Sequence, residues 1–198
     1  CNEQLADMTP RDIMRKFHVK AICTTDDPAD DLRYHRLLRD DPTMDILVLP
    51  AFRPDKAVNI EKPGTAAYLK ALGNAAGISI RTAADVAAAL RRRMEAFRAL
   101  GCVAADHGMD YCMFADPYEA AADRTLTKVL AGETVSPTES DTYKTYITVA
   151  CAKAYAELGW AMQLHFGCLR NTNTAQFAAL GPDSGYDAVN SNSGVANL

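Results

Sequence analysis

Four short apolar runs constrain this chain more than anything else in it. "VKAICT" at 19–24, "DILVLPAF" at 45–52, "CVAAD" at 102–106 and "WAMQLH" at 160–165 lack the polar–apolar alternation of a half-exposed strand. Each reads as a strand buried on both faces. Helical segments separate them, and helices alternating with such strands predict a parallel sheet.

The helix starts are written locally. Thr9-Pro10-Arg11-Asp12, Asp27-Pro28-Ala29-Asp30, Asp116-Pro117-Tyr118-Glu119 and Ser136-Pro137-Thr138-Glu139 each give a capping side chain, then proline, then a carboxylate. The cap accepts orphan backbone N–H groups, proline lacks the N–H that would be orphaned, and the carboxylate suits the positive helix end. Thr82-Ala83-Ala84-Asp85 repeats the pattern without proline. A helix over about 82–100 carries Val86, Leu90, Met94 and Phe97 on one face and stops at Gly101, and one over about 137–158 stops at Gly159.

Composition narrows the function classes. The chain has 198 residues, 48% hydrophobic and 23% charged, with a formal net charge of -4; these are the proportions of a globular domain. The charge gives no case for nucleic acid or an anionic membrane, and the one basic run, Arg91-Arg92-Arg93, reads as a solvated helix face. No apolar stretch approaches the roughly 18 residues of a membrane span. The six cysteines, at 1, 23, 102, 112, 151 and 168, form no Cys-x-x-Cys pair and read as buried, reduced thiols of a cytoplasmic protein.

The residues at the strand exits carry the chemistry. In parallel α/β folds the ligand site lies beyond the carboxyl ends of the strands. The exits here are "TTDDP" at 24–28, "RPDK" at 53–56, Asp106-His107, and His165 with Arg170, Asn171 and Asn173. Singly each has a plain alternative: Asp26 and Asp27 as helix caps, Arg53 paired with Asp55 in a turn, Asp106-His107 as a satisfied loop pair, His165 as a core histidine. Together they offer guanidinium groups for a carboxylate, imidazoles for proton transfer or metal binding, and amides for sugar hydroxyls. An anionic, polyhydroxylated substrate fits. Gly-x-Gly-x-x-Gly, Gly-x-x-x-x-Gly-Lys, Gly-x-Ser-x-Gly and His-Glu-x-x-His are all absent, which removes nucleotide binding and serine hydrolysis.

Five blocks in order, "ICTTDDPADDLRYH" (22–35), "FRPDKA" (52–57), "GCVAADHG" (101–108), "MQLHFGCLRNTNT" (162–174) and "LGPDSGYDAV" (180–189), resemble the uronate isomerase family of the amidohydrolase superfamily. The resemblance implies a helix-rich α/β chain, part of a metal-dependent hydrolase-like (β/α)8 barrel. It implies aldose–ketose isomerisation, D-glucuronate to D-fructuronate and D-galacturonate to D-tagaturonate, in the cytoplasmic sugar-acid catabolism of bacteria. It implies a divalent metal such as zinc, a hexuronate as partner, and a homo-oligomer as one possible assembly. By the same resemblance His165 and Arg170 are catalytic, with His165 also a metal ligand, and Arg53, Asp106, His107, Asn171 and Asn173 bind substrate.

The chain also departs from that family. The His-x-His pair of the first strand and the aspartate of the eighth have no counterpart among its four histidines, at 18, 35, 107 and 165. Four strands are placed, whereas a barrel of this type takes about 250 residues. Residues 1–198 therefore read as a single, incomplete barrel domain from the middle of such an enzyme, with "VNSNSGVANL" at 189–198 opening a further helix and no isomerase activity expected of this chain alone. The alternatives are another metal-dependent amidohydrolase acting on an amide or lactone, and a non-catalytic helical binding module.

Overall fold

In the computed structural model, residues 7–191 and 194–197 are described. Three of the five expected helix starts form as full capping boxes. Thr9 opens α1 (Pro10–Lys16), Thr82 opens α5 (Ala83–Arg98) and Ser136 opens α7 (Pro137–Leu158), each with the N3 carboxylate bonded back to the cap. The long α7 closes at Gly159 in the left-handed region, φ 70°, where a Cβ would be strained.

The other two starts are corrected. Asp27-Pro28 opens no helix: Asp27 Oδ1 accepts the Ala29 N–H, Asp30 Oδ1 that of Leu32 and Asp31 Oδ1 that of Arg33, so side chains take the donors a first turn would use. The helix α2 (Arg33–Asp40) begins five residues after Pro28. Likewise α6 (Glu119–Leu130) starts at Glu119 with Tyr118, not Asp116, in the cap position. Among the described residues three helices were not foreseen: α3 (Asp55–Val58), α4 (Thr65–Ala76) and the later helix Thr174–Leu180. Glycine backbone at Gly64 and Gly77 bounds α4, so no capping side chain signals it.

The first four strands are parallel and lie side by side in chain order. β1 (Ala21–Cys23) pairs with β2 (Leu47–Leu49), and β3 (Ala104–Met109) pairs with β4 (Ala161–Phe166), both in parallel. Phe52 joins the pairs by bridging Asp26 on one side and Ala105 on the other, its N–H bonded to Ala104 O at 3.1 Å and its O accepting Asp106 N–H at 2.9 Å. A short antiparallel pair, β5 (Cys168–Leu169) with β6 (Ala188–Val189), comes next, with α8 (Thr174–Leu180) between them. A 3-10 turn at Val195–Asn197 stands where a further helix was expected; residues 192, 193 and 198 of that stretch, and Cys1, lie outside the described residues.

The expectation that every strand is buried on both faces is corrected as well. In β3, Ala105 and His107 are buried while Ala104, Asp106 and Gly108 are only partly so. β4 alternates exposed and partly buried positions from Ala161 to Leu164. Helices cover one face only. Phe52 is fully buried there, 5.0 Å from the Phe97 ring in a T-shaped contact and about 6 Å from the rings of Tyr155 and Trp160. Val86, Leu90, Met94 and Phe97 of α5 are buried as their spacing predicts, facing Tyr143, Ile147, Cys151 and Tyr155 of α7.

Two further expectations are corrected. Cys23 is exposed and Cys168 half-buried, whereas Cys102, Cys112 and Cys151 are buried as expected. The arginine run is no plain solvated face: Arg93 donates to the carbonyls of Pro28 and Asp30 at 2.7 and 2.8 Å, and Arg91 pairs with Glu157 at 2.6 Å. Two arginines thus tie α5 to the 28–30 loop and to α7. Among the described residues, no helix is long and apolar enough to cross a membrane.

Candidate active site

Parallel pairing sends the ends of the strands to one side, and alternation decides which side chains meet on the open face. Gly108 is the register partner of His165, and Asp106 that of Gln163. Asp106 is the hub. Its Oδ1 lies 2.9 Å from His165 Nε2 and accepts from Gln163 Nε2 at 3.4 Å; its Oδ2 lies 3.5 Å from Arg53 Nη1 and accepts from Thr25 Oγ1 at 3.5 Å.

Arg53 has a second carboxylate partner. Its Nε donates to Asp55 Oδ2 at 2.7 Å, and the two Asp55 oxygens accept the Gly108 N–H at 3.2 and 3.1 Å. Burial pushes the Asp55 carboxyl upward, against the opposing pull of Arg53 and the Gly108 N–H. A Cβ at Gly108 would overlap the Arg53 guanidinium and stand 2.8 Å from His165 Cε1 and 3.1 Å from Asp55 Oδ2. Glycine at this strand end is what lets three polar side chains converge.

A cavity of about 290 Å³ opens beside this cluster, lined by Arg53, Asp55, Lys62, Gly108, His165 and Arg170 among others. Arg170 reaches it from the loop after β5, where Asp187 holds its guanidinium at 2.6 Å and raises its pKa. Asp187 is itself held low by the Asn171 N–H, with Arg170 adding to the effect.

The expected site residues divide. Arg53, His165, Arg170 and Asn171 line the cavity, and Asp106 supports it from beside them. His107 is not brought there: it points to the helix-covered face, 2% exposed, with Nε2 3.1 Å from the Tyr155 hydroxyl, and burial depresses its pKa to about 4. Strand alternation makes this unavoidable once Asp106 faces the cavity. Asn173 caps α8 by accepting the Gln176 N–H at 3.0 Å. From the first exit only Thr25 touches the cluster. Asp26 stands 3.6 Å from the buried His35, which contacts Thr24 Oγ1 at 2.8 Å, and Asp27 accepts from Tyr68 OH at 2.8 Å and pairs with Lys56 at 3.1 Å.

Gly108, Lys62 and Asp187 were missed. The glycine of "ADHG" and the turn signal "KPG" around Lys62 are visible in the sequence, but nothing local says that they meet. As for the expected divalent metal, among the described residues no three His, Cys, Asp or Glu side chains converge as ligands. The His165 nitrogen nearest them faces a carboxylate whose other oxygen is shared with Arg53 and Thr25. These residues do not by themselves form the site a zinc ion requires.

The fold and site define a parallel α/β chain that gathers polar side chains at the ends of its strands. A family model described as glucuronate isomerase matches residues 1–198, and the chain belongs to that family. The uronate isomerase of Caldanaerobacter subterraneus subsp. tengcongensis is 44% identical over 92% of this chain and 39% of its own length. That of Salmonella paratyphi B is 45% identical over 97% of this chain and 42% of its own. The crystal structure of uronate isomerase from Thermotoga maritima superposes with a TM-score of 0.89 at 34% identity, covering 96% of this chain and 42% of that one. The chain thus spans about 40% of the length of the curated relatives it matches.

Proposed function

We propose that these residues are part of a cytoplasmic uronate isomerase, contributing four strands of a single (β/α)8 barrel domain and one wall of its sugar-acid site. The observation that carries this reading is the convergence of His165, Asp106 and Arg53 on the open face of the sheet, at 2.9 and 3.5 Å. Interconverting an aldose and a ketose moves a proton between C2 and C1, which requires a base at that edge of the substrate and an anchor for the distal carboxylate. His165 suits the first task. With Nε2–H directed at Asp106, Nδ1 remains as the basic nitrogen, and the carboxylate fixes the tautomer and the ring. Arg53 and Arg170 suit the second, as two guanidinium groups on one cavity with donors left over after pairing with Asp55 and Asp187. Asn171 offers an amide to a sugar hydroxyl. A divalent metal would need its other ligands from outside these residues.

The test is an assay of the full-length protein with D-glucuronate and D-galacturonate, following the ketose product, beside a lactone and an amide. Ketose formation supports the isomerase reading. Hydrolysis of the lactone or amide without isomerisation favours another amidohydrolase.

A further inference from the structure

Asp55 is a carboxylate at the strand ends that is largely withdrawn from solvent and lines the cavity beside Arg53. Its side chain is 21% exposed. One oxygen receives the Arg53 Nε–H at 2.7 Å, and both receive the N–H of Gly108 on the next strand. The carboxylate therefore bridges the exit of β2 to the end of β3. An arginine side chain left alone samples many rotamers, and ordering one carries an entropic cost that a fixed partner lowers.

We propose that Asp55 and Gly108 together are the positioning device for Arg53: the carboxylate fixes the guanidinium from its Nε edge, and the missing Cβ of Gly108 leaves the space in which it lies. This rests on the reading of Arg53 as a clamp for the substrate carboxylate, and adds which residues make the clamp rigid. Burial is part of the device. A carboxylate drawn out of water exchanges its hydration for the Arg53 and Gly108 donors, so its position is defined by the protein. Gly108 enters by geometry: its backbone is ordinary extended strand, and glycine is required there by the space Arg53 occupies.

The experiment is a double-mutant cycle in the full-length protein with D-glucuronate, using Asp55→Asn, Arg53→Lys and the pair. Asp55→Asn alone is expected to raise KM about tenfold with a smaller change in kcat. In the Arg53→Lys background it is expected to add nothing, because the group it positions is gone. Full additivity of the two substitutions, or an Asp55→Asn enzyme with unaltered KM and kcat, overturns the proposal. Gly108→Ala displaces the same guanidinium while leaving the carboxylate, and is expected to raise KM in the same way; it carries the test if Asp55→Asn does not fold. Crystal structures of the parent and of Asp55→Asn read the inference without turnover. A guanidinium that shifts supports it, and one that stays in place overturns it, even if neither uronate is a substrate.

Discussion

His165 Nε2 stands 2.9 Å from Asp106 Oδ1 across the β3–β4 pair, although the register places Gly108, not Asp106, opposite His165. The contact is a diagonal one between neighbouring strands. It exists because the direct partner has no side chain, and it turns two ordinary strand residues into an oriented imidazole–carboxylate pair.

Removing either member of that pair should therefore reduce turnover more than substrate binding. In the full-length protein, His165→Gln and Asp106→Asn are each expected to lower kcat for D-glucuronate by about a hundredfold or more, the scale of a lost proton-transfer group. Steady-state kinetics check this. A loss confined to KM would assign the pair to binding alone.

How much of this is legible in the sequence depends on the range of the interaction concerned. Thr9, Thr82 and Ser136 announce their helices because a capping box is complete within four residues. Asp27-Pro28 carries the same letters and forms a turn, because Asp27, Asp30 and Asp31 bind nearby backbone N–H groups in turns instead. The strand exits name Arg53, Asp106, His165 and Arg170, but not that His107 points the other way; that is a matter of pleat and register, which one strand read alone does not fix. Gly108 is invisible as a functional residue, since its part is played by an absent side chain toward residues 55 positions before and 57 after it.

The buried His107 gives the fold a pH dependence. Its pKa falls from 6.5 to about 4 on burial, so the unfolded chain accepts a proton between those values that the folded protein refuses. Stability from this group is full above pH 6.5 and declines through the window down to about 4, by on the order of 3 kcal/mol. Thermal unfolding across pH 7 to 4 should show that decline, and His107→Gln, which can keep a hydrogen bond to the Tyr155 hydroxyl, should flatten it.

Phe52 both joins the two strand pairs and fills the core against Phe97, Tyr155 and Trp160. Phe52→Ala is expected to destabilise the protein by about 3–5 kcal/mol, read from denaturant unfolding. A cost below about 1 kcal/mol would mean that the helix-covered face is not the main core.

The capping box at Thr82 predicts a smaller effect of a different kind. Thr82→Ala removes the acceptor of the Asp85 N–H at 3.1 Å, with an expected cost of about 1 kcal/mol. The circular dichroism melt should shift while the kinetic constants stay those of the parent, because α5 touches the site only through the core.

The most direct test of the isomerase reading is ketose formation from D-glucuronate by the full-length protein, measured beside the isolated 198-residue chain with zinc or manganese added. The expected result is isomerisation by the full-length protein, its near loss in His165→Gln, and none by the isolated chain. No isomerisation by the full-length protein, or isomerisation that survives His165→Gln unchanged, would contradict the isomerase reading; turnover by the isolated chain would overturn only the expectation that these residues are inactive alone.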